Sequence, residues 1–146
     1  MKKHLILALM LFNIIRVIIP VEACLEHEGL LNCSHLHLFK EIDLKELQIL
    51  IAKNTSLIIL DARSVSCKNY DGQRIPGSKI LPSDATADQI SKIVPNKDSL
   101  IVVYSADTNC SASMILAETL IKMGYTHVLR YKDGLAGWIS AGNLVH

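Results

Sequence analysis

The chain has 146 residues, 15 of them basic and 14 acidic, with a formal net charge of +1. That length holds one domain plus a short extra segment, and the even charge balance, without a basic stripe, excludes a nucleic-acid-binding surface. Aromatic residues are 5% and hydrophobic residues 50%, so no base-stacking platform exists, and the apolar surplus sits at the N-terminus.

Met1-Lys2-Lys3-His4 is a basic start, followed by an apolar run over residues 5–12 that continues over 14–19 around Arg16. Pro20 breaks a helix there, and Val21-Glu22-Ala23 is a V-x-A cleavage pattern. These are the three regions of a secretory signal peptide, assigned to residues 1–23. Asn13 and Arg16 interrupt the run, which falls short of the about 20 apolar residues of a membrane span. An uncleaved anchor is the competing reading. Cys24 directly follows Ala23, which in a bacterium also resembles a lipoprotein site with an acylated cysteine, although Glu22 fits that pattern poorly. Both readings put the mature chain outside the cytoplasm, periplasmic or as a membrane-anchored lipoprotein, where disulfides persist. Membrane contact then comes only through the signal or a lipid anchor.

Residues 24–38 form a polar linker that contains Cys24, His27, Cys33, His35 and His37. These are zinc or copper ligand types, but their spacing matches no compact zinc module and the segment lacks a core of its own. It reads as a solvated tether, and no metal or other cofactor is expected.

Asp43 caps a helix over residues 44–53, with Leu44, Leu47, Leu50 and Ile51 on one face. Residues 56–60 are a short continuous apolar run, as in a buried parallel strand, ending at Asp61-Ala62-Arg63. A loop rich in Ser, Asn, Asp and Gly leads to the turn at Pro76-Gly77. A short strand over 79–81 and an amphipathic helix over 85–94, stopped by Pro95, follow. Residues 99–104 are the next buried strand and 111–123 a helix closed by Gly124. A strand over 127–131 and a final turn and helix over 134–141, carrying Trp138, complete the chain. Strands alternating with helices predict an α/β domain with a mostly parallel central sheet flanked by helices on both faces.

Leu60-Asp61-Ala62-Arg63, Arg74-Ile75-Pro76-Gly77-Ser78, the strand ending at Tyr104 with its loop and helix, Gly124-Tyr125-Thr126-His127-Val128 and Asp133-Gly134-Leu135-Ala136-Gly137-Trp138 stand in that order. This ordered set resembles the rhodanese-like (thiosulfate sulfurtransferase-like) domain over residues 39–146. The resemblance implies a single domain with an active-site loop after Tyr104. In active members a cysteine opens that loop and carries a persulfide. Backbone amides and the positive end of the next helix face the sulfur, an arrangement that stabilises an anion.

This sequence departs from the pattern at the decisive place. The loop reads Ser105-Ala106-Asp107-Thr108-Asn109-Cys110-Ser111-Ala112. Ser105 holds the catalytic cysteine's position, and a serine hydroxyl forms no persulfide and needs an adjacent base to act as a nucleophile. The loop has no Lys or Arg, and Asp107 opposes an anionic substrate. Cys110 resembles the second cysteine of exported relatives with the pattern Y-C-x4-C-x2-S, which here runs Tyr104-Ser105-x4-Cys110-x2-Ser113. Ser105 and Cys110 are thus the two candidate catalytic positions. Asp61 and Arg63 resemble the family's D-x-R pair, expected to hold loops at the sheet edge. Arg74 stands where the family usually has histidine, either solvated or supplying the charge the loop lacks.

Four cysteines are present: Cys24, Cys33, Cys67 and Cys110. Cys24 and Cys33 lie near each other in sequence, and Cys67 and Cys110 lie in loops that leave the same sheet edge, so a Cys67–Cys110 disulfide is a candidate. Three functions compete. The first is an exported, monomeric rhodanese-like domain with impaired or absent sulfurtransferase activity, acting as a binding or redox-responsive module in the cell envelope. The second is an active sulfurtransferase with Cys110 as nucleophile. The third is a thiol-disulfide protein using Cys67 and Cys110. The partner is accordingly a small sulfur anion or persulfide donor, or a protein.

Overall fold

Ile101, Val102, Val103 and Tyr104 are all apolar, and successive strand side chains point to opposite faces. Such a strand has to be covered on both sides. The computed structural model describes residues 39–53, 56–64 and 71–146, and these fall in one compact unit, His35–His146. The elements are β1 (Lys40–Ile42), α1 (Leu44–Lys53), β2 (Ile58–Asp61), β3 (Lys79–Ile80), α2 (Ala87–Ile93), β4 (Leu100–Tyr104), α3 (Ala112–Lys122), β5 (His127–Tyr131) and α4 (Gly134–Ser140). The expectations for the signal peptide, Cys24, the His/Cys linker and Cys67 lie outside the described residues.

The strands form one sheet in the order β1-β5-β4-β2-β3, with all pairings parallel. Ile101 and Val103 face α2 and α3, packing with Leu60, Ile90, Val94, Leu116 and Leu120. Val102 and Tyr104 face the other way, packing with Leu47 of α1, and with Leu135 and Trp138 of α4. Among the described residues, no helix is long and apolar enough to cross a membrane.

Two local expectations need correction. β1 has no counterpart in the sequence reading: three residues are too few for a periodic signal, and pairing with β5 makes the strand. Ile51, expected on the buried face of α1, is exposed, and only Leu47 on that helix is fully buried. The helix meets the sheet through Leu47, with Leu44 and Leu50 partly buried beside it. Its start follows the expected cap: Glu46 N donates to Asp43 Oδ1 at 2.8 Å and Asp43 N donates to Glu46 Oε2 at 3.1 Å, a reciprocal capping box. Lys40, 2.7 Å from the same Glu46 carboxylate, is the main reason its pKa is lowered.

Among the described residues, the buried hydroxyl of Tyr131 has no hydrogen-bond partner. Burial, then the charges of Asp133 and Asp43, push its pKa from 10.0 up to about 12. The native state therefore holds this proton more tightly than the unfolded chain does. The associated stability is complete below about pH 10 and is lost as pH rises towards 12. Tyr131→Phe is expected to leave neutral-pH stability unchanged or raise it by roughly 1 kcal/mol, because an unpaired buried hydroxyl costs free energy. The variant should also lose less stability between pH 10 and 12 in urea titrations. A neutral-pH loss above about 1 kcal/mol would show that the hydroxyl has a partner.

Candidate active site

The chain leaves β2 towards β3 on one side and leaves β4 towards β5 on the other. The crevice between two such diverging loops is where parallel α/β sheets place their sites. Asp61 ends β2 there with Ala62-Arg63 following it, and Ser105 follows β4, with Ala62 N donating to Tyr104 O at 2.9 Å.

Asp61 and Arg63 form a buried ion pair. Asp61 is 0% and Arg63 5% exposed. Arg63 donates from Nε to Asp61 Oδ1 at 3.0 Å and from Nη2 to Oδ2 at 2.7 Å. The backbone amide of Arg63 reaches Oδ1 as well, at 3.0 Å. The hydroxyl of Tyr104 donates to Oδ2 at 3.1 Å and accepts from Ile75 N at 3.3 Å, with Ser78 Oγ 3.1 Å away. Arg63 Nη2 also donates to Gln73 O at 2.6 Å. One carboxylate thus ties the ends of β2 and β4 to the Gln73–Ser78 stretch. Burial first, and the Asp61 charge second, raise the Tyr104 pKa far above its usual value.

Ser105 is 1% exposed. Its Oγ lies 3.2 Å from the Cys110 carbonyl oxygen and 3.0 Å from Ser113 Oγ. Neither neighbour is a general base. Asp107 turns its carboxylate back onto the loop, where Oδ1 accepts from Asn109 N at 2.8 Å and Cys110 N at 3.1 Å. Two amides of the kind that would face a bound anion are already spent on the chain's own carboxylate, and a carbonyl oxygen points at the strand-exit position. Cys110 is a half-buried free thiol one residue before the N-cap of α3, Ser111. Thr108, Asn109 and Ser111 are exposed and Ala112 is partly buried.

The first turn of α4 clamps the loop from the other side. Leu135 N donates to Ser105 O and Ala136 N to Ala106 O, both at 2.9 Å. Gly134 has φ +62°, and a Cβ there would stand 2.6 Å from Ser105 O. A cavity of about 220 Å³ opens beside the loop, lined by Arg63, Asp71, Ala106, Asp107, Leu135, Ala136 and Ile139. Arg63 is the arginine on this wall. Arg74 is half-buried elsewhere, its N donating to His146 O at 2.9 Å and its O accepting from His146 N at 3.2 Å.

Sequence reasoning missed Arg130 and Glu41, and named Ser113 only as the last position of the Tyr104-Ser105-x4-Cys110-x2-Ser113 pattern. Arg130 Nε donates to Ser113 Oγ at 3.0 Å and its Nη1 to Glu41 Oε1 at 2.6 Å. The signal was present. Ser113 falls on the apolar stripe with Leu116, Ala117 and Leu120, and Arg130 shares the buried face of β5 with Val128. A polar residue on each of two facing apolar surfaces implies a buried contact between them.

The family profile described as Rhodanese-like domain matches residues 43–141. The chain belongs to the rhodanese-like domain family. Solved rhodanese-like structures share the fold. A thiosulfate sulfurtransferase from Pseudomonas aeruginosa is 24% identical with a TM-score of 0.62, over 74% of this chain and only 20% of that one. The BH2092 protein from Bacillus halodurans is 23% identical with a TM-score of 0.64, over 75% of this chain and 77% of its own. The Alr3790 protein from Anabaena sp. is 27% identical with a TM-score of 0.59, over 72% and 79% respectively. No curated protein matches the chain's sequence. The rhodanese-like fold explains why the loop after β4 lies at the switch point, while the groups filling that loop are this chain's own.

Proposed function

We propose that this is an exported rhodanese-like domain whose strand-exit position performs no sulfur transfer, and that it serves as a binding or redox-responsive module of the cell envelope, held there as a soluble protein or through a lipid on Cys24. The observation that carries this reading is the self-occupied loop: Asp107 takes the Asn109 and Cys110 amides, and the Cys110 carbonyl faces Ser105. A thiosulfate sulfur arriving at Ser105 would meet a carbonyl dipole of the wrong sign and a hydroxyl with no base to activate it. The partner on this reading is a protein, or a small sulfur compound that reacts with the thiol beside the loop.

One feature favours a second reading. Cys110 is a free thiol at the loop's far end, preceding α3. As a sulfur carrier it would attack the outer sulfur of thiosulfate as the thiolate. The S–S bond to the sulfonate breaks, sulfite leaves with the electron pair, and Cys110 keeps a persulfide.

Reduced protein is treated with thiosulfate, freed of excess and weighed intact, with Cys110→Ala alongside. The expected result is no gain of a sulfur atom in either. A one-sulfur gain that disappears in Cys110→Ala would overturn the proposal in favour of the carrier reading.

A further inference from the structure

The cavity beside the loop has walls of two kinds. Leu135, Ala136 and Ile139 of α4 make an apolar side, and Ile139 is 43% exposed although large and apolar. Asp107 of the loop after β4 and Asp71 of the stretch leading to β3 make an acidic side. Arg63 also lines the cavity, but Asp61 balances its charge at 2.7 Å. Arg63 is only 5% exposed, whereas Asp71 is exposed and Asp107 half-buried. The two carboxylates therefore set the sign of the field that a ligand meets there.

Both carboxylates are held in place and neither is neutralised. Asp107 Oδ1 accepts from Asn109 N at 2.8 Å and Cys110 N at 3.1 Å, and Asp71 Oδ1 accepts from Gln73 N at 3.0 Å. Among the described residues no cationic side chain pairs with either. The whole chain carries a formal net charge of only +1, so the negative character belongs to this spot. At about 220 Å³ the cavity is smaller than the roughly 300–1,000 Å³ of pockets for drug-sized molecules, and it suits one long side chain.

We propose that this cavity receives a lysine side chain of a protein partner, the apolar stem lying against Leu135 and Ile139 and the ammonium between Asp71 and Asp107. Lysine ends a flexible apolar stem in a compact charge with three donors. That shape matches an apolar wall beside single acceptor oxygens on two separate loops. The rigid fork of a guanidinium is matched instead by both oxygens of one carboxylate, and here Oδ1 of each is already taken. Thiosulfate and other anions are repelled by the same pair. The proposal rests on the reading of the domain as a binding module and names the chemistry of its partner. It involves no thiol, so the two tests fail separately: a sulfur gain at Cys110 overturns the absence of sulfur transfer, and the titration below decides the occupant of the cavity.

The experiment is an NMR titration of the purified, isotope-labelled full chain with short capped peptides that differ only at the central residue, which is lysine, norleucine or glutamate. The lysine peptide is expected to shift the amide signals of Ala106, Asp107, Ala136 and Ile139 saturably, and the other two to leave them in place. Asp71→Asn combined with Asp107→Asn removes both charges while each Oδ1 still accepts from its loop amides. The pair is expected to weaken the lysine peptide roughly fivefold, the combined weight of two partly exposed ion pairs. Where the pair does not fold, Asp71→Asn alone, on the exposed side, is expected to weaken it about twofold. Equal binding of the norleucine and lysine peptides would overturn the proposal, because only the apolar wall would then be read. Tighter binding of the glutamate peptide, or of thiosulfate at the same signals, would overturn it by giving the cavity to Arg63. Native affinity in the folded charge variants would do so as well. Butylamine has the same stem and ammonium without a backbone, and tighter binding of butylamine than of the lysine peptide would exclude a protein partner.

Discussion

Asp61→Ala is expected to destabilise the domain by about 3–5 kcal/mol, the usual cost of leaving one member of a buried ion pair without its partner. The carboxylate accepts from the side chain and backbone of Arg63 and from the Tyr104 hydroxyl. Removal takes from the 5%-exposed guanidinium its two-point carboxylate contact and leaves a buried hydroxyl short of its acceptor. A loss of that size is comparable to the whole stability of many domains, roughly 5–15 kcal/mol, so the unfolding transition of the variant is expected at low urea. Removing both charges should be milder. Asp61→Ala combined with Arg63→Met is expected to be more stable than Asp61→Ala alone, since no guanidinium then stays buried without its carboxylate. Urea denaturation of the three variants decides the matter. A cost below about 1 kcal/mol for Asp61→Ala would mean that Arg63 finds another acceptor on relaxing.

Gly134→Ala is expected to cost about 2–4 kcal/mol, from a left-handed backbone that alanine disfavours and from overpacking against a neighbouring main chain. Its Cβ would meet Ser105 O at 2.6 Å and Ala106 C and O at 2.8 Å. Those atoms are backbone, so relief requires the loop or α4 to move, and the Leu135–Ser105 and Ala136–Ala106 hydrogen bonds weaken with it. Gly124 isolates the first term: its φ is +88°, yet nothing lies within 4 Å of its Cβ position. Gly124→Ala should therefore cost only about 1 kcal/mol. Equal losses for the two variants would show that the close approach to the loop carries no weight. Faster amide exchange at Leu135 and Ala136, confined to Gly134→Ala, would place the damage at the clamp.

The hydrophobic periods of 101–104 and 112–122, and the caps at Asp43 and Gly124, are local properties, and each element formed near its expected place because neighbours along the chain decide it. β1 failed that test, since pairing alone makes it a strand. The candidate site divides in the same way. That Ser105 replaces a cysteine and that Asp107 sits in the loop are plain from the order of residues. That Asp107 turns onto the Asn109 and Cys110 amides depends on a fold of the loop that spacing does not specify. Arg130 and Ser113 are 17 residues apart and Glu41 and Arg130 are 89 apart. No local rule joins them.

The sequence by itself thus determined the fold class, the position of the loop after β4 and the absence of a persulfide-forming residue at its entrance, because hydrophobic period and residue chemistry are read one segment at a time. Only the tertiary structure decided which polar groups face one another: Asp61 with Arg63 and Tyr104, α4 against Ser105 and Ala106, and Arg130 with Glu41 and Ser113. The reason is energetic. A buried polar group must find a partner wherever the packing of distant elements brings one within reach, and that packing is a property of the whole sheet.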